Sequence, residues 1–122
     1  MKLIIDGYNL MHKAGPRGDT LEEKRERITN IVEAFCEVNS TDAVIVFDAA
    51  GTESNMRSKE KRKKVMLVFS AKGESADDAI VDILKEKNPK KYVVVTSDRY
   101  VRDAALKMKF NLMKSEELAE YF

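Results

Sequence analysis

Two residue types that build many metal and redox sites are almost missing from this sequence. It contains one cysteine, Cys36, and one histidine, His12. A single cysteine cannot form a disulfide within the chain, and the two residues are too few for a zinc site. Cys36 falls within a helical pattern of apolar residues, so we expect a buried thiol with a structural role. For His12 the sequence favours an exposed position.

Long apolar runs are also missing. No run approaches the roughly 20 residues that a membrane-spanning helix needs. The first apolar run, residues 3–5, is followed at once by Asp6 and does not have the form of a secretion signal. We therefore expect a cytoplasmic protein with no membrane partner. With 122 residues, 43% of them hydrophobic, the chain is long enough to bury one core, and we expect a single domain over residues 1–122.

Several motifs of nucleotide-binding and hydrolytic α/β proteins do not occur. There is no P-loop with its lysine, no G-x-G-x-x-G and no G-x-S-x-G. The segment DGY after the first apolar run lacks the second acid of a phosphoaspartyl phosphatase. Asp6 as a covalent nucleophile is therefore a lesser alternative.

The sequence does contain short apolar runs that alternate with helical patterns. Continuous apolar strands are typical of a parallel sheet that helices cover on both faces. We therefore expect an α/β fold with three layers, in which helices flank a central, mainly parallel sheet of five strands. The expected strands are 3–5, 43–48, 65–70, 92–98 and the segment FNLM; the expected helices are 20–39, 76–87, one ending near 109 and one after Ser115, with 13–18 as a loop.

An acidic residue follows each of the four long strands. Because the carboxyl ends of parallel strands lie at one edge of the sheet, we expect these side chains to gather there. Carboxylates that are close together repel one another and usually need a cation, and ligands that are all oxygen suit Mg²⁺ or Mn²⁺. In chain order the acids are Asp6, Asp48, Glu74 with Asp77 and Asp78, and Asp98.

Each acid also has a simpler explanation. The segment DGYN suits a plain turn, Asp98 suits a helix cap, and Asp48 and Glu74 suit a turn and a solvated loop. Their joint placement at one edge is harder to explain without a site. Helical phase after Ser75 distinguishes two further acids, because it directs Asp77 toward the sheet edge and Asp78 toward solvent.

Four segments resemble the motifs of a known family. "IIDGYNLMH", "VIVFDAAG", "VFSAKGESADD" and "VVTSDR" occur in the order found in the YacP-like NYN domains, which are bacterial members of the PIN-like nuclease superfamily. The resemblance implies a PIN-like fold with the strand order 3-2-1-4-5. It also implies an endoribonuclease that depends on a divalent metal and cuts RNA, in some members messenger RNA on the ribosome. Carried over position by position, it assigns metal ligands to Asp6, Asp77 and Asp98, a polar site position to Asn9, and further acidic catalytic positions to Asp48 and Glu74.

The formal net charge is only +1, yet the run RSKEKRKK concentrates six basic residues around one glutamate. We expect this run to bind the phosphate backbone of single-stranded or messenger RNA without reading its sequence, and nothing indicates a preference for DNA. The alternative is a solvated, mobile connector. Tyr8 would either stack on an unpaired base or pack within the protein. The basic residues are Arg57, Lys59, Lys61, Arg62, Lys63 and Lys64.

Two other functions fit the same pattern. The first is a module that binds RNA or the ribosome through the basic run and performs no chemistry. The second is a phosphatase of small molecules built on the same kind of sheet. The sequence gives neither the target RNA nor the number of metal ions.

Overall fold

A six-stranded sheet forms the centre of the computed structural model, which describes residues 1–122. The strand order is β3-β4-β2-β1-β5-β6, with helices on both faces. The strands are β1 (Lys2–Asp6), β2 (Ala43–Phe47), β3 (Ser58–Lys61), β4 (Val65–Phe69), β5 (Tyr92–Val95) and β6 (Asn111–Met113). The helices are α1 (Gly7–Ala14), α2 (Leu21–Val38), α3 (Ala76–Leu84), α4 (Arg99–Lys107) and α5 (Ser115–Ala119).

Five of the strands run parallel, which confirms the predicted architecture. Without β3, the order β4-β2-β1-β5-β6 is the 3-2-1-4-5 order expected from the sequence. In this register Asp6 lies opposite Val46, and Ile5 lies opposite both Ile45 and Val95. The carboxyl ends of the central strands therefore meet at one edge, as the site hypothesis requires.

Successive residues of the central parallel strands enter two separate cores. Leu3 and Ile5 pack with α1, α2 and α5 on one face, whereas Ile4 packs with α3 and α4 on the other. All three side chains are buried. Burial on both faces explains why the strands read as continuous apolar runs.

Helix α1 replaces the turn and part of the loop expected after the first strand. The expectation is wrong because this helix is short and begins with glycine, so its local signal is weak. Its stability comes from tertiary packing, since Leu10 and Met11 are buried in the core. The helix ends at Gly15, whose φ of 60° suits glycine and whose N–H donates to the carbonyl of Met11.

Strand β3 is the second element that the sequence prediction missed. Part of the basic run pairs antiparallel with β4, with Ser58 opposite Phe69 and Lys61 opposite Met66. The run is therefore not the loop we expected. All four residues of β3 are exposed, so no apolar pattern marks the strand. Lysines on an edge strand also protect the sheet against pairing with another chain.

The predicted helix starts agree with the structure. Thr20 accepts a hydrogen bond from the N–H of Glu23, and Ser75 accepts one from the N–H of Asp78. The Glu23 carboxylate accepts a hydrogen bond from the N–H of Asp19 rather than from that of Thr20.

Cys36 is buried and His12 is exposed, as expected. No helix has the length and apolar character needed to cross a bilayer.

Gly7 lies where β1 passes into α1, and the structure leaves no room there for a side chain. A Cβ atom would lie 2.5 Å from two ring carbons of Phe47 and 2.9 Å from the carbonyl oxygen of Val46. We expect Gly7→Ala to lower the free energy of unfolding by about 1–3 kcal/mol, measured by urea denaturation. Ala14→Gly, at the other end of α1, is the control and should cost about 0.5–1 kcal/mol. A neutral or stabilising Gly7→Ala would contradict this packing.

Candidate active site

Asp6 is the buried centre of the acidic edge. It is the last residue of β1 and only 6% exposed. Thr96 Oγ1 donates a hydrogen bond to Asp6 Oδ2 over 3.2 Å. Burial raises the pKa of Asp6 to about 6, and the negative charges of Asp77 and Asp98 act in the same direction, while Thr96 and the backbone N–H of Asn9 oppose the rise.

Asp98 reaches the same edge from the end of β5 and also caps a helix. Its Oδ1 accepts a hydrogen bond of 3.1 Å from the N–H of Val101 in α4. Its own N–H donates to Thr96 Oγ1 over 3.0 Å. The Thr96 hydroxyl thus links Asp98 to Asp6. Capping and a place in the site are therefore compatible, because the cap uses one carboxylate oxygen and leaves the other available.

The two neighbouring acids of α3 lie in different environments. Asp77 is half-buried, and burial together with the charges of Asp98, Asp78 and Asp48 raises its pKa. Asp78 is exposed, and its Oδ1 has a long contact of 3.5 Å with the hydroxyl of Tyr100. The structure thus directs Asp77 toward the acidic edge.

Asp48 lies beside the acidic edge, directly after β2. It is half-buried and contributes to the raised pKa of Asp77. It also lines a cavity of about 370 Å³ together with Tyr8 and Arg25. Asp48 therefore borders both the acidic edge and this cavity.

Asn9 holds two loops together at this edge. Its Oδ1 accepts hydrogen bonds from the N–H of Ser97, over 2.8 Å, and from the hydroxyl of Ser115, over 2.5 Å. The backbone donor at Ser97 fixes which end of the amide is oxygen. The amide NH₂ group is the part of Asn9 that remains available to a ligand.

Glu74 is held in an ion pair rather than directed at the other acids. Its two oxygens accept hydrogen bonds from Arg57 Nε and Nη2, over 3.0 and 2.5 Å, and Oε1 also accepts from the N–H of Ala71. The Arg57 guanidinium lowers the pKa of Glu74. Arg57 also contacts Asp82 over 2.9 Å. Glu74 therefore anchors the loop before α3, and the catalytic role that the resemblance assigns to it stays a prediction.

Tyr8 packs within the protein, which agrees with the simpler of the two expectations. Its ring meets Phe47 edge to face at a centroid distance of 5.1 Å, and its hydroxyl accepts a hydrogen bond of 2.9 Å from Arg25. The ring is half-buried and lines the cavity beside Asp48. Part of it is therefore still accessible from that cavity.

The structure separates most of the basic run from the acids. Because β3 runs antiparallel, Arg57 lies near the acidic edge, whereas the turn at residues 62–65 lies at the opposite, amino edge of the sheet. Arg57 and Arg62 are both in ion pairs, Arg62 with Glu26 and Glu60. The run as a whole therefore does not lie beside the acids, and its binding of RNA stays a prediction. Lys59, Lys61, Lys63 and Lys64 form no salt bridge.

The sequence profile of the YacP-like NYN domain matches residues 3–122, nearly the whole chain. The chain belongs to the YacP-like NYN domain family. NYN domains are PIN-like nuclease domains, so the resemblance seen in the sequence motifs is confirmed. A comparison with curated proteins finds no match.

Solved structures of this family have the same fold. Rae1 (YacP) from Bacillus subtilis superposes with a TM-score of 0.72, and a tryptophan-to-leucine mutant of it with 0.77. Each is 20% identical to this chain, and the match covers 99% of this chain and 72% or 73% of theirs. At this identity the likeness shows the fold alone.

The oxygen ligands of this NYN domain suit a hard divalent cation. No three acidic, histidine or cysteine side chains are arranged as a ready-made metal site. Burial is the main cause of the raised pKa values of Asp6 and Asp77, and the charge of Asp98 adds to both. A cation beside these carboxylates would offset both effects, and an all-oxygen set is of the kind that Mg²⁺ and Mn²⁺ accept.

Two contacts that position the acidic edge do not follow from the sequence, that of Thr96 with Asp6 and that of Ser115 with Asn9. Thr96 lies 90 residues from Asp6, and Ser115 lies 106 residues from Asn9. In the sequence, only the polar triplet TSD at the end of an apolar run indicates that Thr96 lies near the site. Nothing local in the sequence indicates that Ser115 contacts Asn9.

The raised pKa of Asp6 predicts a pH-dependent stability. The ordinary pKa of an aspartate is 3.8, and that of Asp6 in the folded protein is about 6. At a pH between these two values, Asp6 keeps its proton in the folded state and has lost it in the unfolded state. Stability should therefore fall as the pH rises through this range, by at most about 3 kcal/mol. Asp6→Asn removes this loss, so its stability relative to wild type should increase from pH 4 to pH 7 in EDTA.

Chemical denaturation at several pH values measures this difference. Asp103→Asn, at an exposed position of α4, is the control and should follow the wild-type pH dependence. A stability difference between Asp6→Asn and wild type that is the same at pH 4 and pH 7 would contradict a buried, destabilised carboxylate.

Proposed function

We propose that this protein is a metal-dependent endoribonuclease that hydrolyses phosphodiester bonds in RNA. The proposal rests on one observation above all, the electrostatic coupling of Asp6, Asp77 and Asp98 at the carboxyl edge of the sheet. Membership of a nuclease family and a site made of oxygen ligands support it. The substrate is single-stranded or messenger RNA, with the ribosome as a possible place of action in a cytoplasmic setting.

The carboxylates of Asp6, Asp77 and Asp98 would hold one or two Mg²⁺ or Mn²⁺ ions. When bound, such ions supply charge stabilisation for the phosphate and activate water for attack. Burial of Asp6 favours this arrangement, since a carboxylate with its charge opposed by neighbours gains most from a cation.

Other residues would orient the substrate and carry the proton. Asn9 presents its NH₂ group to a phosphate oxygen, because its carbonyl oxygen is already bound by Ser97 and Ser115. Thr96 keeps Asp6 and Asp98 in place through its hydroxyl. Asp48 makes no hydrogen bond or salt bridge within the chain and is available to accept a proton from the attacking water.

The hypothesis assigns opposite outcomes to two neighbouring substitutions. Asp77→Asn should lose nearly all metal-dependent cleavage, because it removes a ligand. Asp78→Asn should retain most of the activity and lose only the helix-dipole contribution to stability, about 0.3–1 kcal/mol. Both are measured side by side on one RNA. An inactive Asp78→Asn together with an active Asp77→Asn would overturn the proposed site.

The reaction itself is tested with mixed RNA in Mn²⁺ and in EDTA. We expect RNA fragments only with the metal, and a rise in the melting temperature of the wild type on addition of Mn²⁺ that Asp6→Asn largely lacks. RNA binding without fragments would favour the non-catalytic binding module. Release of phosphate from a small phosphate ester, with RNA left intact, would favour the phosphatase.

A further inference from the structure

Six lysines surround Tyr92 at the amino edge of the sheet, opposite the acidic edge. They line or adjoin two neighbouring depressions, of about 450 and 170 Å³, that share Lys2. We call this region the amino-edge lysine surface. Its members are Lys2, Lys61, Lys64, Lys87, Lys90 and Lys91.

Strand pairing brings these lysines together from distant parts of the chain. Lys2 lies opposite Tyr92 across β1 and β5, and its N–H donates to the carbonyl of Lys91. The N–H of Ala43 donates to the carbonyl of Lys64, which places the β3–β4 turn at the same edge. Both Lys2 Nζ and Lys87 Nζ lie within 6 Å of the Tyr92 ring, at 5.9 and 5.5 Å from its centroid.

The positive charge of this surface is not neutralised by the protein. None of the six lysines forms a salt bridge, whereas Arg57 and Arg62 of the basic run are both paired. Asp42 is the one acidic residue that lines either depression. The chain as a whole has a net charge of only +1, so these unpaired lysines form a local excess of positive charge at the amino edge. Lysines gathered in this way repel one another, and a polyanion relieves that repulsion.

We propose that the amino-edge lysine surface binds the phosphate backbone of a folded, base-paired RNA segment. This proposal rests on the proposed nuclease function, which makes RNA the polyanion that the protein meets. Lysines bind phosphates as point charges and read no sequence. An anionic membrane fits less well, because binding at a bilayer surface usually adds apolar insertion, and Met1 is the one apolar residue lining the larger depression.

The distance between the two edges indicates that this segment is not the strand being cut. The five residues of β1 separate the edges, at a rise of about 3.3 Å per residue, which gives about 16 Å through the sheet. A strand of four nucleotides, at about 3.4 Å per stacked nucleotide, therefore does not span the distance from the acidic edge to the lysines. The surface instead holds a flanking part of a longer RNA and increases affinity, while the acidic edge determines the rate of cleavage.

The test compares two triple variants that remove the same charge. Lys2→Gln/Lys90→Gln/Lys91→Gln removes three exposed lysines of the surface, and Lys13→Gln/Arg17→Gln/Arg27→Gln removes three exposed charges on or near α1 and α2. Two RNAs are used, a stable hairpin with a single-stranded tail and a four-nucleotide RNA with a sequence from that tail. Binding is measured in EDTA at several salt concentrations, so that it does not depend on cleavage. Cleavage of both RNAs is then measured in Mn²⁺.

We expect the lysine variant to bind the hairpin RNA more weakly and with a lower salt dependence. The slope of log K against log salt should fall in magnitude by about 2–3, since each phosphate contact contributes about 0.9 for a duplex. Cleavage of the four-nucleotide RNA should be unchanged, and the control variant should bind the hairpin like the wild type.

Three results would overturn the proposal. The first is an equal loss in both variants, which would show a nonspecific effect of net charge. The second is an unchanged salt slope for the hairpin in the lysine variant. The third is lysine-dependent binding to phosphatidylserine vesicles without any change in RNA binding. A different result would separate the two proposals. If hairpin binding depends on the lysines but Mn²⁺ produces no cleavage, the lysine surface is supported and only the proposed nuclease function is contradicted.

Discussion

The burial of one carboxylate, Asp6, is the constraint on which the acidic edge depends. Its position at the end of the central strand removes it from water, and the charges of Asp77 and Asp98 oppose its ionisation further. A single side-chain hydrogen bond, from Thr96, compensates only part of this cost. A fold optimised for stability alone would place an apolar residue there. Retention of an acid at such a position is typical of a site that binds a cation.

The side chains around Asp6 make the edge rigid through contacts between loops. Asn9 joins the start of α1 to Ser97 and Ser115, so three segments far apart in sequence are fixed by one amide. On the other side, Arg57 joins the start of β3 to Glu74 in the loop before α3. This arrangement holds the first turn of α3, and therefore Asp77, against the sheet. Glu74 thus acts through position, although sequence alone groups it with the other acids.

Much of the fold and part of the site could be predicted from the sequence, for a physical reason. Buried parallel strands need continuous apolar residues, and their carboxyl ends must share an edge, so the convergence of Asp6, Asp77 and Asp98 follows from local patterns. Helix α1 and strand β3 could not be predicted in this way. The first depends on tertiary burial of Leu10 and Met11, and the second is exposed along its whole length. Contacts such as Thr96 with Asp6 join residues whose separation leaves no local signal.

The direction of β3 determines what the basic run can do. Because β2 and β4 run parallel, the chain that connects them must pass from the carboxyl edge to the amino edge of the sheet. As an antiparallel edge strand, the run makes this passage in extended form, which carries Lys61 and Lys64 to the amino edge and leaves Arg57 near the acids, where Glu74 and Asp82 neutralise it. Sheet topology, rather than composition, thus separates the lysines at the end of the basic run from the acids.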